Sequence, residues 1–117
     1  MKRPIITNKS KFSDYLNTNK IDQKIKEFAL MLFNIIDTSL SHNKNYFTIY
    51  TDDDLIFDCI NFKNNKTVSL DINSDTCVLM KVPYLSTIDT IEYFIISNKI
   101  PESEQTIIKD ALLWLNT

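Results

Sequence analysis

The chain has 117 residues, 44% of them apolar and 24% charged, with a formal net charge of −2 and no glycine. That balance is too apolar for intrinsic disorder, and the length suits a single domain over residues 1–117 built on one core. Without glycine there is no P-loop, no GxGxxG dinucleotide fingerprint, no GxSxG nucleophile elbow and no Gly-centred calcium loop.

Along the chain, residues 1–8 read as an extended, loosely held start. The opening Met1-Lys2-Arg3-Pro4 is basic but lacks the apolar run of a signal peptide. No apolar stretch approaches the ~20 residues of a membrane span, so a cytoplasmic protein with no membrane partner is expected. The i, i+3, i+4 edge of Phe12, Tyr15 and Leu16 predicts a short helix from about Lys9 to Leu16. A second helix follows, capped by Asn19 with Asp22 at its third position, and striped by Ile21, Ile25, Phe28, Leu32 and Ile35. It ends near Ser41-His42-Asn43.

From Tyr46 to Tyr84 the apolar period changes from near 3.6 to 2. Four strands are predicted, at 46–50, 55–62, 67–72 and 77–82, separated by short Asp- and Asn-rich turns. A register pairing Phe62 with Thr67, and Ile72 with Val78, makes one continuous apolar face. That face carries Leu55, Phe57, Cys59, Val68, Leu70, Ile72, Val78, Met80 and Val82. Ser86 and Asp89 then suggest a capping box for a third helix striped by Ile88, Ile91 and Ile95, and Pro101 opens a fourth. The expected fold is α+β, a four-stranded antiparallel meander flanked by N- and C-terminal helices in the order α-α-β-β-β-β-α-α.

Chemistry is sparse. His42 is the only histidine and sits at a helix end; Cys59 reads as a buried hydrophobe, and Cys77 begins a different strand. The basic N-terminal half, including Lys20, Lys24 and Lys26, reads as a solvated helix face and not as a nucleic-acid footprint. Trp114 reads as core. No cofactor, metal site or catalytic residue is expected.

Aspartates are the remaining signal. Residues 1–50 carry eight Lys/Arg against four Asp/Glu, and residues 51–117 carry five against eleven. Asp52, Asp53 and Asp54 open a strand, Asp58 sits within it, and Asp71 and Asp75 belong to the next strand and turn. In the predicted register Asp58 opposes Asp71, a destabilising like-charge pair. Ile56, Ile60, Phe62 and Leu79 share the outer face, so apolar contacts lie among carboxylates, as in an interface hot spot. A nuclease toxin binds phosphates in a basic cleft, so its inhibitor gains from an acidic face. The expected function is therefore non-enzymatic: a bacterial immunity protein, monomer or homodimer, bound to a toxin or effector protein. The alternatives are a chaperone for a secreted effector and a small metal-dependent hydrolase using the aspartates.

Overall fold

A computed structural model describes residues 5–6, 8–40, 44–51, 54–85 and 87–117. The fold is α+β: one antiparallel sheet with helices against a single face. The strands are β1 (Ile5–Ile6), β2 (Tyr46–Thr51), β3 (Asp54–Asn61), β4 (Lys66–Ile72), β5 (Thr76–Val82) and β6 (Glu92–Ser97). The helices among the described residues are α1 (Lys9–Thr18), α2 (Gln23–Ser39) and α3 (Glu102–Leu115). Strand order in the sheet follows chain order: β2 to β6 follow one another as antiparallel neighbours, and β1 reaches β2 by way of α1 and α2.

Local chemistry sets the helix boundaries. Asn8 caps α1 by accepting the Lys11 amide at 2.9 Å. Asn19 closes α1, where an N-cap for α2 is expected; Asp22 takes that role, accepting from Lys24 at 3.1 Å. The link between them is a Schellman turn. The Ile21 amide returns to Leu16 and the Lys20 amide to Asn17, with Lys20 left-handed at φ 52°. Ile21 and Leu16, both buried, supply the apolar contact that accompanies this motif.

Alternation sends Leu55, Phe57, Cys59, Val68, Leu70 and Ile72 under the helices, as the sequence pattern requires. Phe12, Phe33, Tyr46 and Phe57 form an aromatic cluster beneath them, with centroids 5.0 Å (Phe12–Phe33) to 5.8 Å (Phe33–Phe57) apart. Burial and a hydrogen bond to Asp37 (2.9 Å) hold the Tyr46 phenol above its ordinary range, so it stays protonated. The β3–β4 turn caps the last helix: the Asn61 and Asn64 side-chain amides donate to the Leu115 carbonyl at 2.8 and 3.1 Å. Beside it the Trp114 ring lies between the Lys66 and Lys81 ammonium groups, 4.9 and 5.0 Å from its centroid.

Three sequence expectations need correction. Phe57 pairs with Leu70, a two-residue shift that preserves the faces. Ile72 pairs with Cys77, however, an odd shift that exchanges the two faces of β5. Cys77 and Leu79 are consequently buried, while Val78, Met80 and Val82 turn to the opposite side. The cause is a tight turn: Asn73 Oδ1 accepts the amides of Asp75 and Thr76, both at 2.9 Å, and the Asn73 amide bonds the Thr76 carbonyl.

Third, the predicted third helix is a single 3₁₀ turn, Ile88–Thr90, followed by β6. Thr87 and Thr90 supply its capping box; Ser86 lies outside the described residues. Ile91-Glu92-Tyr93-Phe94-Ile95-Ile96 is β-branched and aromatic, and β5 offers it a ladder to complete. The sheet therefore has five long strands plus the short β1, against three helices, in place of four and four.

Candidate protein-binding face

No helix among the described residues lies over the second face of the sheet. The pairing registers arrange its side chains in rows. One row runs Ile49, Ile56, Asp71, Val78, Ile95, and the next Phe47, Asp58, Ser69, Met80, Tyr93. Ile60, Thr67 and Val82 form a third. The rows are apolar with aspartates set among them, and no lysine or arginine stands at a described position of this face. Lys66 and Lys81 lie on the opposite, helical side with Trp114. Most side chains here are half-buried by their neighbours, whereas Tyr93 and Ile95 are 51% and 61% exposed. Phe62, 58% exposed in the β3–β4 turn, meets the Phe47 ring edge-on at 6.2 Å.

Of the sequence-predicted residues, Asp54, Asp58, Asp71, Ile56 and Ile60 share this face, with Phe62 at its rim. Asp75 is exposed in the β4–β5 turn, at a shallow cleft of about 240 Å³ that also includes Lys24 and Glu27 of α2. Asp52 and Asp53 lie outside the described residues, as does His42. Leu79 is withdrawn from the surface: it is fully buried, for the register reason above.

The expected like-charge pair is also re-drawn. Asp58 opposes Ser69 and Asp71 opposes Ile56. Asp71 instead lies diagonal to Asp54, close enough for their carboxyls to hydrogen-bond. Its carboxyl is pushed above the usual carboxylate range by burial first, then by the Asp54 charge and the Asp54 hydrogen bond.

Both cysteines face the core. Burial, and secondarily Asp58 beside Cys59 and Asp71 beside Cys77, raises their thiols and keeps them protonated and unreactive. Among the described residues no three His, Cys, Asp or Glu side chains form a group that could hold a metal ion. No helix among them is long and apolar enough to cross a membrane.

What sequence reasoning missed is the apolar half of the face: Val78, Met80, Val82, Tyr93 and Ile95. The alternation of Tyr93 and Ile95 within a β-branched run is the signal that could have located it. Comparison with protein-family models, with characterised proteins and with solved structures finds no match to this chain.

Proposed function

We propose that this chain is a small protein-binding inhibitor of the immunity type, acting in the cytoplasm by laying its uncovered sheet face over the basic cleft of a toxin nuclease. The observation that carries this reading is the face itself: apolar rows interrupted by Asp54, Asp58 and Asp71, with no cation at a described position. Contiguous exposed apolar surface on a monomeric chain marks an interaction site. The carboxylates steer a basic partner and fix its orientation, and the apolar rows exclude water once it has docked. Inhibition is then steric and electrostatic, without chemistry on the partner.

The test pairs the purified chain with the folded product of its neighbouring reading frame. Asp58→Lys and Asp71→Lys together are expected to slow association, weaken binding at least about tenfold and flatten its salt dependence. Binding unchanged by both substitutions would remove the sheet face as the docking site. A second reading, a chaperone for a secreted effector, is supported by the exposed apolar side chains of Tyr84, Leu85, Tyr93 and Ile95 around the β5–β6 hairpin. The two readings separate on the partner's state: an inhibitor binds the folded partner, a chaperone the unfolded one.

A further inference from the structure

The two edges of the sheet are finished differently. At one, β1 covers Tyr46 and Phe47, and the Tyr15 hydroxyl accepts the Tyr50 amide at 2.9 Å. At the other, β6 has β5 as its one neighbouring strand among the described residues. The Ser97 amide points away from β5 and donates to Glu104 Oε1 at 2.5 Å, and the Ser97 carbonyl accepts from Ile100 at 3.0 Å. Asn98, one residue on, turns back to Asp75. By the two-residue period of the ladder, Tyr93 and Ile95 also direct their N–H and C=O groups outward. No described residue supplies partners for those four groups.

Natural edges are blunted by lysine, proline, bulges or inward charges. β6 has no lysine, proline or bulge, and its one charge stands at its first residue. That charge, Glu92, is held by Lys81 at 3.5 Å, and the register of β6 with β5 is unbroken.

We infer that β6 pairs with β6 of a second copy, antiparallel about a two-fold axis at Phe94, joining the two sheets into one. This register sets Tyr93 opposite Ile95 of the second copy, and the reverse, so all four outward backbone groups of each strand are bonded. It asks nothing of Ser97, whose groups are already taken. The facing side chains are an aromatic and a β-branched residue on the uncovered face, a favourable cross-strand combination.

Charge agrees with the same register. The two Glu92 positions fall four residues apart, about 13 Å at the strand rise and beyond the ~8 Å screening length. The contact is isologous and therefore closes at two copies. It leaves Asp54, Asp58 and Asp71 on β3 and β4 open; Tyr93 and Ile95 also belong to the uncovered face, and the pairing is tested on the chain alone, without the partner proposed above.

Light scattering across a concentration series is expected to give twice the 13.7 kDa chain mass. Ile95→Lys should return a monomer of unchanged far-ultraviolet dichroism, its dissociation constant raised at least about tenfold. Phe62→Lys, equally exposed but away from the edge, should remain a dimer. In the unaltered chain, hydrogen exchange at the Tyr93 and Ile95 amides should slow as concentration rises. A monomer at every concentration overturns the inference. So does a dimer that survives Ile95→Lys but is lost with Phe62→Lys, or exchange at those two amides that does not depend on concentration.

Discussion

Left-handed backbone costs a non-glycine residue about 1–2 kcal/mol, and this chain accepts it at Lys20, Asn65, Leu85 and Ile100. Lys20 is the simplest to relieve, because it is exposed and its amide already follows the Schellman pattern. Lys20→Gly is expected to raise stability by about 0.5–1 kcal/mol, part of the gain being offset by glycine's freedom in the unfolded chain. A shift of the urea midpoint at constant m-value checks it. Asp71 gives a pH-dependent counterpart. Its raised pKa means that the folded state keeps this proton to higher pH than the unfolded state does. Stability from this group therefore falls as pH rises between the unfolded and folded values, and is flat above them. Asp71→Asn should stabilise the protein at neutral pH by a few tenths to about 1 kcal/mol, the scale of a like-charge cross-strand pair. The difference should close below the ordinary carboxylate range, where both side chains are neutral. A carboxylate that costs stability is what the proposed binding role leads one to expect at a working surface.

Among the elements, α1, α2, α3 and the four strands from 46 to 82 were readable because their periods are strong and their flanks carry Asn, Asp or Pro. Two features were not. The run Cys77-Val78-Leu79-Met80 is apolar in both phases, so alternation alone cannot say which face of β5 is buried. The deciding contact is local, at Asn73, whose side chain fixes a tight turn and with it the parity of the pairing. Asn73→Ala removes the two amide hydrogen bonds to this side chain, together with a longer one from the Thr76 hydroxyl, and is expected to cost about 1–2 kcal/mol in denaturant melts. Over residues 88–97, Ile88, Ile91 and Ile95 coincide with a helical stripe. The segment becomes a strand because an exposed β5 ladder outweighs that spacing, a tertiary preference invisible in the segment itself.

On the scale of the whole molecule, the sheet has one dry face and one wet face, and the stability lies on the dry side. Phe57 is central there, touching Phe12, Phe33 and Tyr46. Phe57→Ala should therefore cost about 3–5 kcal/mol, a large share of the about 5–15 kcal/mol of a small domain, read as a drop in melting temperature. The wet side was half legible. Its aspartates stand out in the sequence, and Asp54, Asp58 and Asp71 do lie together on it. Its apolar rows depend on the β5 parity and on β6, so they emerged only with the three-dimensional pairing.

Trp114 stands where the last helix meets the rims of β4 and β5, between two ammonium groups, and it is the only tryptophan in the chain. Its fluorescence is therefore a built-in optical probe of a single event. Any emission change during unfolding reports the lifting of that helix from its seat, with no dye to attach and no second indole to subtract.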